Sequence, residues 1–202
     1  MKRKLLSVAM VFGLLLAFTN TASAYVLSGH RFASGIGGTG YYTVPSNATY
    51  TYGGTTEWYG SIIRDSVSRW NTRVDYISSS QPQNINFVET TNKSASTVDY
   101  YVDAYGNTGW RGITEFYAWG GARLDNGWDF PTQNWDWCKI NLNVTEIQSN
   151  SYNDKFGTSA HEFGHTFGLK HSNTSFAVMW SNWTERQVVP TSDDEAGIRA
   201  IY

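Results

Sequence analysis

The stretch His161-Glu162-Phe163-Gly164-His165-Thr166-Phe167-Gly168-Leu169-Lys170-His171 sets three imidazoles and one carboxylate within eleven residues. On a helix, His161 and His165 stand one turn apart on a single face, so both rings can aim a nitrogen at one ion about 2 Å away. Glu162 lies roughly 100° further round, too far to crowd that ion but able to reach a water at its open corner, the place of a general base. Gly168 permits the turn that ends the helix and returns His171 as a third ligand. Three protein ligands with one corner left open is the layout of a catalytic zinc site, whereas four protein ligands close a structural one. Histidine occurs four times in the chain, and three of the four are here.

The helix that carries these residues needs its own anchor. Phe156, Ala160, Phe163 and Phe167 recur at three- or four-residue steps, an apolar stripe distinct from the His161 and His165 face. Eight residues past His171 stands Met179, in Ser175-Phe176-Ala177-Val178-Met179-Trp180, and the chain closes on Ser192-Asp193-Asp194-Glu195-Ala196-Gly197-Ile198-Arg199-Ala200-Ile201-Tyr202. Ser192 with Glu195 three residues on reads as a capping box for a last helix, with Ile198, Ile201 and Tyr202 on one face.

These residues carry a resemblance. The pattern H-E-x-x-H-x-x-G-x-x-H followed by a methionine turn is that of the metzincin zinc endopeptidases, and the closing helix resembles that of their matrixin branch. The similarity is close over roughly residues 155–202 and looser back to about residue 40. It implies a zincin-type α+β domain: a twisted mixed sheet of about five strands, a long backing helix, an active-site helix and a C-terminal helix. It implies one catalytic zinc held by His161, His165 and His171, a floor under the ligands formed by Met179, and Glu162 as the base that deprotonates an attacking water and returns the proton to the leaving amine. The substrate, a protein or peptide, would lie as an extra strand along an edge strand, by position Ile113 to Trp119.

Two features depart from the family. Matrixins place a proline and a tyrosine after the turn methionine, where they wall the pocket for the residue following the cleaved bond. Here Trp180-Ser181-Asn182-Trp183 stand instead, so cleavage preference does not carry over. A second, histidine-rich structural zinc is excluded because His30 alone is left over. Calcium through oxygen ligands stays open, with Asp125-Asn126-Gly127-Trp128-Asp129 as the candidate stretch.

The rest of the chain reads coarsely. Lys2, Arg3 and Lys4 precede the apolar run Leu5 to Phe18, and Ala22-Ser23-Ala24 supplies small residues for cleavage, so residues 1–24 read as a secretory signal and 25–202 as one secreted, extracellular catalytic domain. Fourteen apolar residues are short for a bilayer, and no second such run follows, so no stable membrane association is expected. Without the signal, 12 basic residues face 17 acidic ones, which argues against nucleic acid as a partner. A monomer is expected. Cys138 is the single cysteine, so no internal disulfide forms; its place in Trp135-Asp136-Trp137-Cys138-Lys139-Ile140 reads as a strand and an inert buried thiol.

Strands are predicted at Tyr41 to Val44, Asn84 to Glu89, Thr97 to Val102, Ile113 to Trp119 and Trp137 to Val144. A long amphipathic helix starts from Thr55 or Thr56 as N-cap, with Tyr59, Ile62, Ile63, Val67, Trp70 and Val74 at helical spacing. Nine tryptophans and thirteen tyrosines raise a different class of function, a secreted zinc-containing module that binds carbohydrate or cell-wall polymer without cutting. Glu162 distinguishes the two, since a module that only holds zinc needs no base there.

Overall fold

The structure is a computed structural model that describes residues 24–75, 85–127, 129–184 and 186–202, with backbone alone at 74 and 75. The segment predicted as a secretory signal lies almost wholly outside the described residues, as do Asn84, Trp128 and the Val74 side chain.

Five strands form one mixed sheet: β1 (Gly38–Thr43), β4 (Ile85–Glu89), β5 (Val98–Asp103), β6 (Gly112–Tyr117) and β7 (Trp137–Asn143). Their order is β4-β1-β5-β7-β6, parallel except for β6, which runs antiparallel to β7 and forms one edge. All five predicted strands are present, with ends shifted by a few residues. The remaining two strands, β2 (Thr49–Tyr52) and β3 (Thr55–Trp58), pair as a separate hairpin.

That hairpin corrects the predicted helix start. Gly53 and Gly54 both adopt positive φ, 57° and 80°, as a two-residue turn matched to strand twist requires. Thr55 and Thr56 therefore belong to a strand, and helix α1 (Tyr59–Asp75) begins after it. The predicted apolar face holds: Tyr59, Ile62, Ile63, Val67 and Trp70 are all buried. After the sheet come one turn of helix α2 (Val144–Ile147), the motif helix α3 (Tyr152–Thr166) and the closing helix α4 (Ser192–Ile201). None of the described helices is long and apolar enough to cross a membrane.

Helices α1 and α3 pack on one another and on the sheet. Two polar links fix their register: Ser66 and Ser159 hydroxyls meet at 2.7 Å, and the Trp70 indole donates to the Ala160 carbonyl at 2.8 Å. The stripe Phe156, Ala160, Phe163 and Phe167 faces the core, where Phe163 stacks on Tyr100 of β5 and meets Phe87 of β4 edge-on. Cys138 is fully buried in β7 and burial pushes its thiol pKa well up, as an inert thiol should behave.

Candidate metal centre

Helix α3 delivers His161 and His165, and its end delivers His171. Phe167 closes the last turn, and Gly168 follows at φ 96°, a left-handed conformation that L side chains rarely adopt. A Cβ there would also lie 2.4 Å from the His30 carbonyl oxygen, so a glycine is required twice over. The segment beyond is clamped by the N-terminal chain: Leu27 bridges Leu169, and the Lys170 amide donates to the Val26 carbonyl at 2.8 Å.

The three rings converge. Their centroids lie 4.7, 5.1 and 5.2 Å apart, and one nitrogen from each lies within 4.8 Å of the other two. Ligands about 2 Å from a tetrahedral ion sit about 3.3 Å from one another, so this set closes on an ion with small ring adjustments. Ring orientation is set by the backbone. Nδ1 of His161 donates to the Val178 carbonyl and Nδ1 of His165 to the Leu169 carbonyl, each at 2.7 Å, which leaves each Nε2 free with its lone pair. Burial first, and then the nearness of His165, Arg186 and His171, lowers the pKa of His161 well below the usual imidazole value. Burial lowers His165 to about 3, and His171 shifts the same way, so all three are neutral as metal ligands must be. Among the described residues this is the one group of three or more His, Cys, Asp or Glu side chains that could hold a metal.

Met179 is buried, 2 % exposed, against the segment of α3 between His161 and His165. A Cβ on Gly164 of α3 would stand 2.3 Å from the Met179 sulfur and 2.8 Å from Trp70, so the glycine lets the turn close against the helix. The turn is fastened from α4. Asp194 accepts the Val178 and Met179 amides at 3.0 and 3.1 Å, and Val178 presents the carbonyl that orients His161.

Glu162 is buried beside the ligands. The Thr114 hydroxyl stands 2.9 Å from Oε2 and 2.8 Å from the Glu162 carbonyl, and strand β6 comes so close that a Cβ on Gly112 would fall 2.5 Å from Glu162 Cγ. Burial raises the Glu162 pKa to about 7 against the opposing pull of the Thr114 hydrogen bond and Arg186. The whole group opens into a cleft of about 740 Å³, bordered by Gly112, Ile113, Thr114 and Phe116 of the edge strand.

A sequence profile of the matrixin family, peptidase type M10, matches residues 46–202, more than half of the chain. The chain belongs to the matrixin family. Two human proteins are similar over a shorter stretch: matrix metalloproteinase-27, 44% identical over 50 residues, and neutrophil collagenase, 46% identical over 50 residues. That stretch is 23% of this chain and 10% and 11% of the two relatives, so the match spans about a tenth of their length.

This matrixin uses residues that the motif alone does not reveal. Thr114 and Gly112 shape the surroundings of Glu162 from a strand far off in sequence, and Arg186 enters the cleft from the loop after the methionine turn. Asp194 also corrects the predicted cap of α4: Thr191 is the N-cap and Asp194 its partner, one residue ahead of Ser192 and Glu195. The predicted substrate edge is shorter than Ile113 to Trp119. The Phe116 amide donates to Asp125 and its carbonyl accepts from Leu124, so the open part of β6 is its Gly112 to Glu115 half. Asp125 accepts from Arg123, Gly127 and Phe116, and Asn126 pairs with Asp129, which leaves the candidate calcium stretch turned to protein donors.

Proposed function

We propose that this chain is a secreted zinc-dependent endopeptidase. The observation that carries the reading is the convergence of three neutral imidazoles beside a buried carboxylate in a cleft bordered by an open strand edge. A donor set of three imidazole nitrogens, two of them (His161 and His165) with the tautomer fixed from behind, suits zinc and leaves a corner for solvent. Zinc, when bound, supplies Lewis acidity that polarises a peptide carbonyl and makes water a stronger acid.

The protein residues then divide the work. His161, His165 and His171 would hold the ion. Thr114 holds Oε2 of Glu162, so Oε1 is the oxygen left to take a proton from the attacking water and later pass it to the leaving amine. A carboxylate titrating near neutrality can do both. The Gly112 to Glu115 half of β6 offers backbone groups to an extended peptide, and Met179 supports the ligands from below. Protein or peptide is thus the substrate class, the acidic net charge fits no nucleic-acid partner, and the domain acts as an extracellular monomer.

Metal analysis of the purified domain should give about one zinc per molecule. A digest of mixed peptides should show internal cuts that stop with a chelator and with Glu162→Gln, while that variant keeps its zinc. Zinc bound without any cutting would favour the carbohydrate- or wall-binding module instead.

A further inference from the structure

From the two arginines that line the cleft with Glu162, we infer that the His161 side of the cleft is a carboxylate-binding subsite, selecting an acidic group directly next to the scissile bond. The inference rests on the endopeptidase reading and names its substrate class. Arg186 donates through Nη2 to the Thr158 hydroxyl at 2.9 Å, and Thr158 lies one turn before His161 on α3, on the wall that carries the ligands and Glu162. A guanidinium has five N–H donors, and this is the single hydrogen bond formed by the Arg186 side chain among the described residues. Arg111, next to Gly112, lies with its guanidinium carbon 3.4 Å from the centroid of the Trp183 ring, and its Nη1 is buried with no hydrogen-bond partner among the described residues.

Neither arginine forms an ion pair among the described residues. The two repel one another, and both pKa values are pulled down by burial, Arg186 to about 10. The acids that face them are committed elsewhere. Glu162 is held by Thr114, Glu146 accepts the Gly109 amide at 3.1 Å, and Asp154 accepts the Ser151 hydroxyl at 2.6 Å. A partly buried cation without a direct ion pair carries a desolvation cost that an incoming anion offsets. A carboxylate entering this end would meet two guanidinium forks, the geometry best suited to bidentate recognition. The opposite end, where Phe130 meets His165 edge-on, sets Asp125 and Asp129 beside Lys170, whose Nζ lies 5.7 Å from the Phe130 centroid, and offers no guanidinium fork.

The carboxylate has two sources, an Asp or Glu side chain or a peptide C-terminus, and the test separates them. End-blocked peptides matched except for Glu against Gln beside the cut form one arm; peptides lacking acids, with free or amidated C-termini, form the other. With zinc-loaded wild-type protein, kcat/KM should favour the carboxylate member of one arm by on the order of a hundredfold, the scale of a desolvated charge pair. Arg186→Leu should bring that ratio near one, Arg186→Lys should retain part of it, and Arg111→Gln should reduce it. Binding of the same uncut pairs to Glu162→Gln, followed by fluorescence anisotropy, should give the same order and weaken with salt. Wild-type ratios near one in both arms, or a ratio that survives Arg186→Leu and Arg111→Gln, overturn the inference and leave the endopeptidase reading standing. If no peptide of any kind is cut, the endopeptidase reading fails and the inference falls with it.

Discussion

Replacing Asp194 by alanine tests how the metal centre is held from a distance. The carboxylate is 1 % exposed and accepts four donors: the Val178, Met179 and Thr191 amides and the Thr191 hydroxyl. Asp194→Ala leaves the Val178 and Met179 amides buried without acceptors, at about 1–3 kcal/mol each, and removes half of a capping box, at about 1 kcal/mol. The sum is about 3–7 kcal/mol. A domain of this length loses roughly 2–4 °C of Tm per kcal/mol, so the melting temperature should fall by about 6 °C or more. Because Val178 also orients His161, loosening the turn should weaken zinc by on the order of 10–100-fold. Thermal melts with chelator present isolate the first effect, and competition titration of zinc measures the second. Asp194→Asn keeps one acceptor oxygen and should lose less in both assays. A variant Asp194→Ala that melts within about 2 °C of wild type and binds zinc equally well would refute the linkage drawn from α4 through the turn to His161.

Three further outcomes are expected. Gly112→Ala should push Glu162 aside, since the added carbon falls 2.5 Å from its Cγ; kcat should drop by on the order of tenfold or more while zinc content stays at one. Gly164→Ala forces a carbon against the Met179 sulfur at 2.3 Å and should destabilise by about 1–3 kcal/mol, read from urea midpoints. Acid should weaken the metal-free fold. The folded His165 ring titrates near 3 and His161 and His171 also shift downward, so the unfolded chain takes up protons first as pH falls through about 6.5. Stability is complete above that pH and is lost toward the folded values, for His165 by about 2 kcal/mol at pH 5. Glu162, with its pKa raised to about 7, acts in the opposite sense, so the comparison of urea midpoints at pH 7.5 and 5 belongs in Glu162→Gln. A midpoint as high at pH 5 as at 7.5 would count against buried neutral rings.

The ligand set was legible because its geometry is local. A one-turn spacing on a helix and a glycine at its end determine where three imidazoles can go, and no distant contact is needed to read them. The five strands were legible from alternation and from turn residues between them. What escaped was of two kinds. Thr49-Tyr50-Thr51-Tyr52-Gly53-Gly54-Thr55-Thr56-Glu57-Trp58 carries a strong hairpin pattern, but the threonines also suit a helix start, and the apolar spacing from Tyr59 onward drew the boundary too early. The α4 cap shifted for a similar reason: Thr191 with Asp194 and Ser192 with Glu195 satisfy the same local rule, and only the tertiary bonds of Asp194 to the methionine turn choose between them. Gly112, Thr114, Arg111 and Arg186 belong to the second kind. Nothing in their neighbourhoods along the chain points to a metal, and they reach the site because an edge strand and a late loop fold against α3.

X-ray absorption at the zinc edge of the reconstituted domain bears most directly on the centre. Three imidazole nitrogens and one solvent oxygen at about 2.0–2.1 Å, with no sulfur, are predicted. A sulfur near 2.3 Å, a fourth protein ligand sealing the open corner, or a spectrum unchanged by His171→Ala would contradict the account.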